Sequence, residues 1–342
     1  MKYKFYIVSS EAWDAMLEAI KSAQKSIYWE GYILSNNTPT HNFFSLLKNK
    51  ASQGVRVKMI ADAFGSFWLS SNLVEELELA GVEILFFNHH WWWNRNHKKI
   101  LIVDEQIGFI GGVNVAKRYA NWMDLHVRLQ GLVVRGLLRS FIKSYKICGG
   151  RDNINASPIK IIKKLRILDH WPWLKRSLRK YYVSRLNNAQ GSIVIATPYF
   201  FPHGWLVKAL KRASRRGVKI EIILPKKIDI PLITKANYIF ASLVKEKNSE
   251  IEFYFTNEMI HAKSLLVDNL EGLIGSNNIH ARSFDYNAES GLVTKRKDML
   301  RDLKAILDNW KNNSKKFYFN AVKKNWRRRL IEKIFQALQP IL

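Results

Sequence analysis

An α/β fold of two duplicated lobes, each a mixed sheet flanked by helices, with one site at their interface, is predicted by three features of the sequence. A helix–glycine–strand unit occurs twice, a polar motif occurs twice, and the distance from unit to motif is kept. The first unit, FFSLLKNKASQGVRVKMIAD from Phe43, has apolar residues at helical spacing before Gly54 and a β-branched apolar run after it. The second, WLVKALKRASRRGVKIEIILP from Trp205, has the same design around Gly217. Helical and strand patterns in alternation indicate helices packed on a sheet. Their repetition indicates duplication.

The offset persists downstream. Gly54 precedes His97 by 43 residues and Gly217 precedes His261 by 44. His97, Lys99, Asp104, Gly111 and Asn114 recur as His261, Lys263, Asp268, Gly275 and Asn278, each 164 residues later. The chain therefore divides into a first lobe over 1–150, a basic linker over 151–186, a second lobe over 187–308 and a basic tail over 309–342. Helical periodicity runs through the linker and breaks at Pro172. In the tail, Val322, Trp326, Leu330, Ile334 and Leu338 fall at spacing four among Lys323, Lys324, Arg327, Arg328 and Lys333. That pattern predicts a cationic amphipathic helix, suited to lying on a membrane surface or to docking on a lobe.

The charge balance narrows the partners. Among 342 residues, 55 Lys and Arg face 28 Asp and Glu, a net charge of +27. An excess of that size implies an anionic partner, either nucleic acid or anionic lipid headgroups. Several of the 12 tryptophans lie near basic residues, as Trp91, Trp92 and Trp93 do before Arg95, and Trp326 before Arg327. Such pairs suit a membrane interface, although about half are expected to fill a core. The single cysteine, Cys148, excludes an internal disulfide and a thiolate metal cluster. No signal peptide and no run of eighteen apolar residues is visible, so contact with a membrane is expected at its surface.

The repeated motif is H-x-K, four residues, D, six residues, G-[GS]-x-N. It reads HKKILIVDEQIGFIGGVN in the first half and HAKSLLVDNLEGLIGSNN in the second. The runs ILIV and SLLV read as strands, so His and Lys at i and i+2 project from one face and Lys98 or Ala262 from the other. Imidazole serves as nucleophile, base or acid near neutral pH. A lysine two residues away supplies positive charge to a phosphate, and Asn114 or Asn278 adds a neutral donor. One copy makes half of a phosphate site. Two copies facing each other place a nucleophile on one side of phosphorus and an acid on the other, as in-line displacement requires. A metal site is disfavoured, because lysine is not an ordinary ligand and no second His or Cys stands at ligand spacing. The spaced pattern has a chance frequency on the order of 10⁻⁸ to 10⁻⁷ per position at ordinary residue usage.

Both copies resemble the signature of the phospholipase D superfamily. Within it the chain looks like a bacterial-type cardiolipin synthase over nearly everything up to about Asp308. The likeness extends to YWEGYILSN near Tyr28, GVRVKMIADAFGS near Gly54, WMDLHVRLQG, TPYFFP at Thr197, GVKIEIILP followed by DIPL, and RSFDYNAE. The resemblance implies two phospholipase D-like lobes and transfer of a phosphatidyl group between phospholipids, phosphatidylglycerol among them. It implies that His97 attacks phosphorus and forms a phosphohistidine, while His261 protonates the leaving alcohol and then activates the incoming one. Lys99, Lys263, Asn114 and Asn278 would hold phosphoryl oxygens. Asp124 and Glu289 match the family's carboxylates that steady the ring nitrogen opposite the reacting one. Asp104 and Asp268 are expected to brace the site. No cofactor or metal is expected, and an anionic membrane surface is the expected partner, at the cytoplasmic face of a bacterial inner membrane. Hydrolysis to phosphatidate and nuclease action are the rival activities. Two departures stand out. The membrane-spanning hairpin of many cardiolipin synthases is not seen, and His280 stands where the family commonly has Asp.

Overall fold

The computed structural model describes residues 1–342 except 39, 89–93, 157–163, 229, 248–249 and 319–342. The expected tail helix over 322–338 and the tryptophans at 91–93 lie outside the described residues.

Seven strands form the first sheet: β1 (Tyr3–Val8), β2 (Ser26–Gly31), β3 (Arg56–Asp62), β4 (Val82–Phe87), β5 (Ile100–Val103), β6 (Ile107–Gly111) and β7 (Met123–Gln130). Their order is β1-β7-β6-β5-β2-β3-β4. Helices α1 (Ser9–Ser22), α2 (Phe43–Ser52) and α3 (Ser71–Leu79) connect the early strands, and α4 (Val134–Ile147) follows the last. The α2 unit is the predicted one. Asn42 caps α2 by accepting from the Ser45 amide at 3.1 Å, and Gly54 turns the chain at φ +87° into β3, parallel to β2. Trp13, Met16 and Ile20 of α1 and Phe43 and Leu47 of α2 pack in one core with Trp29, Met59, Leu101 and Val103. Ile100 and Ile102 alternate with Leu101 and Val103 and are equally buried. On the sheet's other side, α4 puts Phe141 against Tyr28 at 5.2 Å between ring centroids. Burial of all four side chains of ILIV follows from covering both faces.

The second sheet has β8 (Leu165–His170), β9 (Ser192–Ala196), β10 (Lys219–Pro225), β11 (Ile251–Thr256), β12 (Ser264–Val267), β13 (Glu271–Gly275), β14 (Glu289–Thr294) and β15 (Ser314–Lys316). Its order is β15-β11-β10-β9-β12-β13-β14-β8, with α5 (Ser177–Asn188), α6 (Gly204–Arg215), α7 (Pro231–Lys247), α8 (Ala281–Asp285) and α9 (Lys297–Asn312). Read from the β8 end, seven of the eight strands repeat the first sheet's order, and β15 is added beyond β11. The duplication is therefore topological as well as sequential. It also corrects the helical periodicity, broken at Pro172, expected over 151–185. Leu165–His170 is a strand in the place β1 takes in the first half, and among the described residues of this stretch only α5 is helical. The run LRILDH buries Leu165, Leu168 and His170 and leaves Arg166 exposed, a mixed pattern that helix and strand templates both accommodate.

By compactness the chain forms two units. The first comprises 1–169, 274–276 and 287–292, and the second 170–273, 277–286 and 293–342. Short pieces of the late chain thus belong to the first unit, among them the start of β14.

Each hairpin carrying the motif aspartate is built alike. Asp104 and Glu105 have φ of +51° and +56°, and Asp268 and Asn269 both +54°. With the Gln106 amide on the Val103 carbonyl and the Leu270 amide on that of Val267, these are two-residue turns that suit the strand twist. Each aspartate then gathers three backbone amides. Asp104 accepts from Gln24, Lys25 and Ser26 at 2.9, 2.7 and 2.9 Å. Asp268 accepts from Gln190, Gly191 and Ser192 at 3.0, 2.7 and 2.8 Å. A short carboxylate that tolerates the left-handed region meets both demands.

Candidate active site

The segment carrying His97 is extended but precedes the ladder, which starts at Ile100. It is fixed by bonds at nearly every residue. The Asn96 amide donates to Asp62 Oδ2 at 2.7 Å, and Asn96 Nδ2 donates to Glu30 Oε1 at 2.7 Å. The His97 amide donates to the Ala288 carbonyl at 2.9 Å, and the Ala288 amide to that of Arg95 at 2.8 Å. Lys98, wholly buried, turns to the opposite side from Lys99. Its Nζ donates to Ser140, Ser144 and Asp169 at 3.0, 3.2 and 2.6 Å.

Glu289 holds the His97 ring. Nδ1 lies 3.0 Å from Oε2 and 3.1 Å from Oε1. An ionised carboxylate only accepts, so the Nδ1 proton faces Glu289 and, in the neutral ring, Nε2 carries the lone pair of a base or nucleophile. Ser276 Oγ donates to Glu289 Oε2 and accepts from the Ser290 amide at 3.0 Å. The Tyr32 ring meets the imidazole edge-on at 4.7 Å. Lys99 lies 5.0 Å above the Tyr32 ring and donates to the His97 carbonyl at 2.7 Å. Burial pushes the Lys99 ammonium down to about 8, against the pull of Glu289, Asp124 and Asp62.

Asp124, the residue that resembles Glu289 in the first motif, accepts from the Leu125 amide at 2.7 Å. Its carboxylate occupies the space a side chain at Gly112 would need, since a Cβ there would lie 2.1 Å from Oδ1. The second motif has Ser276 at that place and the longer Glu289 opposite, so a small-residue gap is exchanged for a hydroxyl donor. In the second unit, His261 and Lys263 are buried, and Lys263 Nζ donates to the His261 carbonyl as Lys99 does to that of His97. The amide groups of Asn114 and Asn278 are buried without a hydrogen-bond partner for either Oδ1. The Asn114 carbonyl accepts from Trp13 Nε1 at 3.0 Å, and the Asn278 amide donates to Ser283 Oγ at 3.0 Å. Among the described residues no cluster of three His, Cys, Asp or Glu is arranged to hold a metal ion.

His280 has a visible local task. Its Nδ1 accepts from the Ser283 amide at 3.1 Å and caps α8, the duty a short carboxylate commonly performs. Accepting at Nδ1 requires a neutral ring with its proton on Nε2.

Sequence reasoning missed Glu30, Asp62, Asn96, Tyr32 and Ser276. Glu30 and Asp62 had a signal, a carboxylate within or closing an otherwise apolar strand, YWEG or MIAD. Burial raises the Glu30 carboxyl above its ordinary range, and pushes that of Asp62 up to about 6 against the amides it accepts.

Each of the two related halves presents a buried His, Lys and Asn of the repeated motif on a duplicated α/β scaffold. Residues 16–126 and 182–311, well over half of the chain, match the family described as cardiolipin synthase, PLD-like domain. The chain belongs to this family. It is 28% identical over 355 aligned residues to the cardiolipin synthase of Geobacillus thermodenitrificans, covering 97% of this chain and 70% of that protein. It is also 28% identical to cardiolipin synthase 2 of Bacillus anthracis, over 97% of this chain and 69% of that protein. The fold is shared with phosphatidylserine synthase of Haemophilus influenzae, at a TM-score of 0.81, 14% identity and coverage of 99% and 95%.

Proposed function

We propose that this chain is a phosphatidyltransferase that makes cardiolipin from phosphatidylglycerol and a second phospholipid through a phosphohistidine. Family membership supports the reaction, and the observation that carries the mechanism is the Glu289 carboxylate on Nδ1 of His97, which leaves Nε2 to attack. His97 Nε2 forms a bond to phosphorus as the bond to the headgroup oxygen breaks. That oxygen takes a proton from His261, and the alcohol leaves. The hydroxyl of the second phospholipid then gives its proton to His261 and attacks phosphorus, releasing His97. Lys99, Lys263, Asn114 and Asn278 hold the phosphoryl oxygens, whose charge grows in each transition state. Asp124, the counterpart of Glu289 in the first motif, supplies the second carboxylate of the family pattern. Asp104 and Asp268 act through the turns they brace.

The proposed location is a membrane surface, at the cytoplasmic face of a bacterial inner membrane. The charge of +27 supports an anionic surface, and no described helix is long and apolar enough to cross a membrane.

The test is purified chain with phosphatidylglycerol in detergent micelles and excess EDTA, with products identified by mass spectrometry. Cardiolipin and glycerol are expected. Phosphatidate alone assigns the hydrolase, and loss of activity that Zn²⁺ or Mg²⁺ restores overturns the metal-independent mechanism.

The pH profile tests Lys99. It is charged below about 8 and neutral above, so kcat/KM should fall as pH rises through about 8. In Lys99→Arg, whose guanidinium keeps its proton, that limb should move to higher pH. An unmoved limb assigns it to another group.

A further inference from the structure

We propose that the loop 63–70, which follows β3, is inserted into the apolar layer of an anionic phospholipid bilayer, with the rings of Phe64, Phe67 and Trp68 as the inserted groups. The inference rests on the reading of the substrate as a phospholipid and names the part of the surface that meets it.

These three side chains are 59%, 61% and 66% exposed, and Phe67 and Trp68 pack together at 4.3 Å between ring centroids. Exposed aromatic rings in a cluster mark a surface that another phase or molecule covers. No charged residue occurs in 63–70. The backbone beneath is braced. Asp62 Oδ1 accepts from the Phe64 and Gly65 amides at 3.1 and 2.8 Å, and the Ser66 amide donates to the Asp62 carbonyl at 2.9 Å. Ser66 Oγ donates to the Tyr32 carbonyl at 2.9 Å and accepts from the Leu34 amide at 3.1 Å. Gly65 presses on residue 32 so closely that a Cβ would lie 2.2 Å from its carbonyl oxygen. Leu69 turns inward and is buried. The rings are thus held outward by a loop already ordered, so insertion requires little further loss of freedom.

The same anchors serve the site. Asp62 that fixes the loop also accepts the Asn96 amide, and the Arg95 guanidinium lies 4.1 Å from the centre of the Phe64 ring. Arg95 and Asn96 directly precede His97. A loop seated in the acyl layer therefore ties His97 to the depth at which the substrate's phosphate lies. In the second half, the connection after β10, the counterpart of β3, and the start of α7 expose Ile230 and Leu232 near exposed Lys226 and Lys227. Apolar groups beside cations fit an anionic interface. Next to the first loop, α3 carries Glu75, Glu76 and Glu78. The contribution of the loop is consequently apolar and resistant to salt, while long-range attraction comes from the net charge. A second copy of the chain is a poorer occupant, because three rings fall far short of the area of a stable dimer.

The test is co-sedimentation of the full chain with phosphatidylglycerol vesicles at low and high salt. Phe67→Ser/Trp68→Ser should lower the partition constant roughly tenfold or more at high salt, and Leu270→Ser, at an equally exposed leucine, should not. Acyl-brominated lipid should quench tryptophan emission of the parent chain, and Trp68→Phe should lose part of that quenching while still binding. Equal partition of the double variant and the parent overturns the proposal. So does parent self-association without lipid that the double variant abolishes while vesicle binding is kept. Catalysis is read separately: absence of cardiolipin from micellar phosphatidylglycerol overturns the activity and leaves the vesicle result standing.

Discussion

His97→Ala and His261→Ala should each lower kcat for cardiolipin formation by roughly 10⁴-fold or more, and the double variant should be little worse than either single one. The expectation follows from the roles proposed for the two histidines in one sequence of steps. Without His97 there is no atom to carry the phosphatidyl group, so His261 has no leaving group to protonate. Without His261 the headgroup leaves as an alkoxide. Turnover of micellar phosphatidylglycerol is the measurement, with circular dichroism to confirm folding. Additive losses would mean that the motifs act at separate sites. The two variants differ in one respect that identifies the nucleophile. His261→Ala should still attack a donor whose leaving group needs no proton, and should trap the phosphatidyl group. Label found on any residue other than His97 reverses the assignment.

Glu289→Gln should lower kcat by roughly 10³- to 10⁴-fold. In the proposed mechanism the carboxylate on Nδ1 sets the tautomer and stabilises the positive ring formed when Nε2 bonds to phosphorus. The amide of glutamine has no charge to offer, and when it turns its NH₂ towards the ring it forces the proton onto Nε2, where it blocks attack. Ser276→Ala, which removes a hydroxyl from Oε2 but keeps the charge, should cost much less. Measured together, the pair separates charge from mere support: equal losses would assign Glu289 a packing role, and full activity of Glu289→Gln would remove it from the mechanism.

The strands and helices around the motif were legible because their signals are local. Gly54 and Gly217 separate a helical from an extended pattern, and the structure turns the chain at both with φ of +87° and +84°. The fixed offset of 164 made the two sheets' common order expected before any strand was placed. The meeting of His97 with Glu289, 192 residues apart, was accessible through the resemblance alone, since no local pattern links them. What stayed hidden depends on tertiary placement. Phe64, Phe67 and Trp68 sit at the spacing of a buried helical stripe, yet the loop turns them out while Leu69 goes in. Lys98 and Lys99 are identical in type, and only the alternation of the extended run sends one to Asp169 and the other to Tyr32. The strand at Leu165–His170 was lost in a basic segment whose mixed pattern suits two secondary structures.

Residues 287–292 join the first compact unit long after the rest of its first sheet has been synthesised. His97 emerges from the ribosome nearly two hundred residues before the carboxylate that orients it. Until Glu289 has emerged and β14 has taken its place, the nascent chain holds an imidazole that this carboxylate does not yet orient, and its chemistry is latent. A chain truncated before Glu289 should therefore be inert towards phosphatidylglycerol.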